Sequence, residues 1–335
     1  MSNRYIFKRM RESEFFSLLI TIVAIFFFMF LLNGSRFLSF RNLTTMMYQM
    51  PTIGFMAIGM LIAELTGGIN LSIVAAANFN GIVIHVVLKA LTYGNTANSS
   101  NVQVLIALLV GFLACILIGF INGLLIAKLK IPALLVTLGM STLLQGLSIL
   151  ITMGYTLSGF PTQITWFGVG EILHIPVSII LFIIVVIGLH FVLDRTVYGK
   201  QLYMTGANPE AARFSNVNTD KVVIIEYILS AVLSFFASMV MIGQMNSVKA
   251  NYYESYVLIA VLATFLGGVK PTGGFGKLFG TVMASIILQL ISTGLNLKRF
   301  DPYLVTAIWG SIIIVVLFGR EISNKIIHMS KRSAK

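Results

Sequence analysis

The chain has 335 residues, of which 57% are hydrophobic and only 10% charged, with a net charge of +12 and a mean hydropathy of +0.94. A soluble domain carries roughly a quarter charged residues, so this composition excludes a water-covered surface and makes lipid the solvent. The basic excess lies between apolar runs, where membrane topology accounts for it better than nucleic acid does, and the lone Cys115 excludes an intrachain disulfide or a cysteine zinc site.

Crossing the hydrocarbon core takes about 20 apolar residues as a helix. Ten segments approach that length: 15–33, 51–66, 71–91, 102–127, 132–153, 175–194, 221–243, 255–268, 275–294 and 303–319. The expected fold is an all-α, polytopic transmembrane bundle of about ten spans. The second, eighth and tenth segments are short, so tilted, broken or partial crossings are expected there. Phe15 to Leu32 is an uncharged run longer than a signal-peptide core, and more spans follow it, so it reads as retained. No polar stretch is long enough for a separate soluble domain, which makes residues 1–335 a single membrane domain.

Lysine and arginine give the bundle a direction. With the N-terminus in the cytoplasm and ten alternating spans, Arg36, Arg41, Lys89, Lys249, Lys298 and Arg299 fall outside and the other seventeen of the 23 basic residues fall inside. Positive charge favours the cytoplasmic side, so both termini are expected there. Among the outer loops, Gly154 to His174 is the longest and carries Trp166 and Phe167, which suit a membrane interface or a docking surface.

Catalytic patterns are missing. His85, His174, His190 and His328 are scattered; no HExxH, GxSxG or paired His and Cys occurs. The stretch Gly273 to Lys277 is glycine-rich but lacks the spacing and hydroxyl of a P-loop, so ATP, if used, binds another chain. No metal or cofactor is expected. Glu64 and Glu226 are the acidic residues in or at the edge of spans; such groups mark either structural anchors or a pathway. Glu226, near Lys221, reads as an interfacial carboxylate.

Two polar features carry the functional reading. Leu65 to Ser72 interrupts two apolar runs with Gly67 and Gly68, and adds Asn70 and Ser72. A broken helix at membrane depth survives only against protein or a wet cavity, so these four residues are candidates for a gate, with a plain tight turn as the alternative. The loop 195–221 holds a short helix specified by local chemistry: Asn208 as N-cap, Pro209 at the first position, Glu210 at the positive end and Arg213 toward the negative end. Ala211, Ala212 and Phe214 form its small apolar face, for a partner's groove or for capping the bundle. On the fifth span Thr137, Ser141 and Gln145 recur every four residues on one helix face, as pathway lining or as interhelical hydrogen bonding.

Four blocks stand in order along the chain: Thr66 to Ser72; Gly119 to Ile126 followed by Ile131 to Gly139; Gly206 to Asn218; and Leu266 to Gly268, Thr272 to Gly276, Gly280-Thr281 and Gly294 to Asn296. In these blocks the chain resembles the permease subunits of bacterial ABC importers of the ribose, xylose and galactoside class. The resemblance implies a pathway shared with a second permease subunit, identical or sister. It implies cytoplasmic ATP-binding subunits docked on the short helix through Asn208, Pro209, Glu210, Ala211, Ala212 and Arg213. A solute-binding protein would deliver a sugar or sugar-like solute at the outer face of the bacterial cytoplasmic membrane. Asn70 stands where the family usually has Asp, and Val257-Leu258-Ile259 replaces its Glu-Leu-Asp run, so a polyol, a furanone-type signal or a nucleoside-like cargo stays open beside the sugars. The rival readings are an ion-coupled secondary carrier depending on Glu64 or Glu226, and a membrane-embedded enzyme using His85 or His190.

Overall fold

The computed structural model describes residues 14–301, 303–316 and 318. The N-terminal cations Arg4, Lys8, Arg9 and Arg11, the stretch Arg320 to Lys335 with His328, and the end of the tenth apolar segment lie outside the described residues.

Thirteen α-helices are described among these residues: α1 (Glu14–Asn33), α2 (Phe40–Glu64), α3 (Ile73–Leu91), α4 (Asn101–Leu129), α5 (Ala133–Thr152), α6 (Thr162–Val169), α7 (Val177–Arg195), α8 (Val197–Ala207), α9 (Pro209–Phe214), α10 (Thr219–Met245), α11 (Tyr256–Leu266) and α12 (Leu278–Leu297), then α13 (Tyr303–Val316). Eight of them, α1 to α5, α7, α10 and α12, are long and apolar enough to cross a membrane; α11 and α13 are shorter apolar helices. Each of the ten apolar segments read from the sequence thus contains a helix, eight of these at crossing length.

The second segment is the clearest difference. It is not short: α2 runs 25 residues, back through Phe40-Arg-Asn-Leu-Thr-Thr to an N-cap at Ser39, whose side chain accepts from Asn42 N. Hydropathy stops at Pro51 because the preceding turns are polar. Those turns are helical nonetheless, with Thr44 and Thr45 hydroxyls bonding back to Phe40 O and Arg41 O. Pro51 sits inside the helix, where it removes one backbone donor.

The helices α2 and α10 form the centre of the bundle, with α3 and α4 on one side and α11 and α12 on the other. Close helix approach comes from small residues, as expected where lipid provides no hydrophobic drive between helices. Gly119 and Gly123 of α4 lie against the backbone of Tyr227, Ile228 and Ile224 in α10. An interior cluster gathers around this pair, where Phe55 meets Phe182 edge-on at 5.1 Å and stacks on Phe236 at 5.7 Å. By contrast α1 is largely exposed and rests on α12, Met29 against Gly294.

The two ends of the bundle differ. One carries α6 and short antiparallel pairings: β1 (Leu157–Ser158) with β4 (Ser247–Val248), and β2 (Glu171–Ile172) with β3 (Ile175–Pro176). Leu173 and His174, both at positive φ, make the two-residue turn between β2 and β3, the twist such hairpins favour. His85 belongs to this end; its Nε2 lies 3.1 Å from Ser158 O and its ring meets Phe160 edge-on. The other end carries the α2–α3 break, the α4–α5 elbow, α8, α9 and the glycine-rich stretch before α12.

Candidate functional site

At the α8–α9 end, backbone packs on backbone. Gly274 N donates to Leu65 O at 2.8 Å, and Gly67 and Gly273 approach through bare main chain, both at positive φ. A Cβ on Gly206 would strike Leu65 O and Gly274 N. The glycines of three separate sequence blocks therefore form one layer tying the α2–α3 break to the α8–α9 turn. Tyr203 braces it, donating to Gly276 O at 2.9 Å. Burial, then the nearby Asp194, pushes its phenol up to about 12, so it stays a neutral donor.

The break itself is held by side chains. Asn70 Oδ1 accepts from Ser72 N at 3.1 Å and Ser72 Oγ at 2.7 Å, while Asn70 Nδ2 donates to Ser230 Oγ at 2.8 Å. Ser230 donates on to Gly59 O, and Asn122 Nδ2 reaches Ser72 Oγ at 3.1 Å. Asn70 and Ser72 are thus buried and bonded inside the chain. Thr137 is also buried, its hydroxyl shared between Ile69 O and Ala133 O. Glu226, read from sequence as an interfacial carboxylate beside Lys221, is instead fully buried: Thr66 Oγ1 donates to Oε2 at 2.6 Å and Thr66 N to Oε1 at 3.3 Å. The 160 residues between Thr66 and Glu226 hid this pair from local reading. Gly67 and Gly68 line a cavity of about 340 Å³ that also reaches Arg213, Asp220 and Tyr227.

The short helix α9 is capped as its residues specify. Asn208 Oδ1 accepts from Glu210 N and Ala211 N, both at 3.0 Å, and Pro209 opens the helix. Ala212 is buried against the core, whereas Glu210, Ala211 and Phe214 face outward, Phe214 at 92% exposure. The apolar face drawn from sequence is therefore divided: Ala212 anchors and its two neighbours project. Arg213 Nε donates to Thr219 Oγ1 at 2.9 Å and Nη2 lies 3.4 Å from Asp220 Oδ1; Lys130 Nζ lies 2.8 Å from the same oxygen and Lys128 Nζ 3.5 Å from Oδ2. Asp220 so joins α9 to α10 and to the α4–α5 elbow.

Ser141 and Gln145 come together elsewhere, apart from Thr137, in a smaller cavity of about 160 Å³ with Asn78, Glu254, Val74 and Val257. Gln145 Nε2 donates to Glu254 Oε1 at 2.6 Å. The outward face of α5 is apolar, a groove of Leu135, Leu138, Leu143 and Leu147 around Gly139 and Gly146, where a Cβ would meet nothing. Among the described residues no group of three or more His, Cys, Asp and Glu side chains could hold a metal ion.

A family model described as the permease component of branched-chain amino acid transport systems matches residues 42–317, from the first turn of α2 to the end of α13. The chain belongs to this permease family. The permease is 31% identical to the ribose import permease protein RbsC of Bacillus subtilis over 294 residues, 87% of this chain and 88% of that one. It is 29% identical to RbsC of Escherichia coli K12, covering 84% and 86%, and 27% identical to the autoinducer 2 import system permease protein LsrC of Photorhabdus laumondii, covering 92% and 90%. No solved structure matches the chain. The permease is thus a multi-pass inner-membrane transport subunit and not an enzyme, and α1 precedes its matched segment.

Proposed function

We propose that the chain is the permease subunit of an ATP-binding-cassette importer that moves a sugar or sugar-like solute inward, powered by ATP hydrolysis on partner chains. Residues 1–335 form one membrane domain with both termini in the cytoplasm. The eight long helices plus α11 and α13 make ten crossings, which puts α8 and α9 inside and α6 outside. This orientation rests on the placement of the basic residues.

The observation that carries the reading is the α9 unit. Ala211 and Phe214 project, Ala212 is buried, and Asp220 and the glycine layer tie the helix to the α2–α3 break. Push applied to Asn208, Pro209, Glu210, Ala211, Ala212 and Arg213 by an ATPase chain reaches Gly67 and Gly68, and through Asn70 and Ser72 the ends of α2 and α3. A ligand shifts such an equilibrium only through different contacts in the two states; here the ATPase supplies them at α9. Thr137 pins α5 to the break, while Ser141 and Gln145 border the pathway. A second permease subunit completes that pathway on the exposed face of α5, and a solute-binding protein docks at the α6 end. The names of the ribose and autoinducer 2 relatives support a sugar-type cargo.

Substitution Ala211→Arg tests the assignment. Copurification of the ATPase chains and solute uptake should both fall; a variant that keeps both at the original level removes α9 from the coupling role. In a secondary carrier, uptake would persist in vesicles reconstituted without any ATPase chain.

A further inference from the structure

The small cavity beside α5, where Ser141 and Gln145 border the proposed pathway, is also lined by Asn78 and Glu254. Asn78, on α3, is 1% exposed. Its Nδ2 donates to Ala250 O at 3.2 Å and Tyr252 O at 2.8 Å, which fixes the amide orientation. Asn78 Oδ1 has no hydrogen-bond partner among the described residues. A buried acceptor left unmet costs about 1–3 kcal/mol, a cost that a donating hydroxyl would remove. The cavity that Asn78 lines is bordered as well by Ser141, Gln145 and Glu254. A carboxylate has about four lone-pair sites, and the bond from Gln145 uses one. Among the described residues no lysine, arginine or histidine lines this space.

That set suits a solute that donates several hydrogen bonds and carries no negative charge. A phosphate or carboxylate would be brought beside Glu254 with no cation to offset the repulsion. Aromatic surface adjoins the acidic residue: Tyr252, Tyr253 and Tyr256 surround Glu254 in sequence, and the rings of Tyr253 and Tyr256 pack at 4.5 Å. Burial, then the neighbouring Tyr252, pushes the Tyr253 phenol up to about 12, so it too adds no anion.

We propose that Asn78 and Glu254, with Ser141 and Gln145, form the solute-contact subsite of the permease, and that this subsite selects a neutral polyhydroxylated solute over an anionic or zwitterionic one. The inference rests on the transport reading above. The Gln145–Glu254 hydrogen bond joins α5 to the segment before α11.

The test uses the permease reconstituted with its ATPase and binding-protein partners in proteoliposomes. Labelled D-ribose and D-fructose are the probes; labelled leucine and ribose 5-phosphate are the counter-probes. Glu254→Gln and Gln145→Ala sit at the partly open side of the cavity, and Asn78→Asp probes the buried acceptor. A hydrogen bond to a charged group contributes about 1.5–3 kcal/mol, so Glu254→Gln should raise KM for the transported sugar about tenfold or more, with the maximal rate within about threefold. Folding damage alone would lower the maximal rate and leave KM in place. A KM unchanged in both Glu254→Gln and Gln145→Ala, with ATP-dependent sugar uptake intact, overturns the subsite and leaves the importer standing. ATP-dependent uptake of leucine or ribose 5-phosphate in place of the sugars overturns the selection for neutral solutes. Sugar uptake that persists without ATP overturns the importer reading, and the subsite's place in it.

Discussion

Asn70 is the residue whose removal is most informative about the α2–α3 break. In Asn70→Ala the backbone N–H of Ser72, buried at 1% exposure, loses its acceptor. Ser230 keeps its bond to Gly59 O and Ser72 Oγ still accepts from Asn122; the Ser72 hydroxyl, which also donated to Asn70 Oδ1, can rotate, so the damage centres on the orphaned Ser72 N–H and one lost interhelical bond. Interhelical hydrogen bonds in membranes average about 0.6 kcal/mol, and an unmet buried donor adds about 1–3 kcal/mol. The substitution should therefore destabilise the permease by about 2–4 kcal/mol, read as a lowered midpoint of thermal or denaturant unfolding in detergent. Asn70→Asp should lose less than Asn70→Ala, because an aspartate still accepts from Ser72 N and Ser72 Oγ and can turn the Ser230 hydroxyl toward itself. An Asn70→Ala midpoint equal to that of the unsubstituted protein, or one above Asn70→Asp, would refute the network as the support of the break.

Three further outcomes follow from the same end of the molecule. Asn208→Ala removes the acceptor for two backbone donors of α9 and should cost about 1 kcal/mol of local helix stability, weakening ATPase-chain binding about fivefold in a titration. Gly206→Val forces a side chain into Leu65 O and Gly274 N; overpacking costs about 1–3 kcal/mol or more, and monodisperse protein in size-exclusion chromatography should be reduced or lost. Asp220→Ala cuts three partly exposed ion pairs, each worth about 0–1 kcal/mol, so the unfolding midpoint should barely move while solute transported per ATP hydrolysed falls.

What was legible in the sequence was local. Asn208-Pro209-Glu210 specifies a cap, a first turn and a dipole partner within three residues, and the structure shows that cap. Long apolar runs marked the helices because composition alone distinguishes them. The first half of α2 escaped because its stability comes from a Ser39 cap and from burial of the residues after Pro51, not from its own hydropathy. Pairs far apart in the chain also escaped: Thr66 with Glu226, and Gln145 with Glu254, are separated by 160 and 109 residues, beyond any helical periodicity. Thr137, Ser141 and Gln145 share a spacing of four, yet Thr137 bonds across to the Ile69 carbonyl, Gln145 donates to Glu254, and Ser141 lines the small cavity beside them. Spacing places residues on a face; only the neighbours of that face decide what each one meets.

The central claim is that this permease works only with an ATP-hydrolysing partner. The most direct measurement is uptake of labelled ribose into proteoliposomes holding the full complex, with ATP or a non-hydrolysable analogue supplied to the side where α9 projects. Uptake that requires hydrolysable ATP, and that fails when the ATPase chains are omitted, is the predicted result. Equal uptake with the analogue, or without those chains, would contradict it.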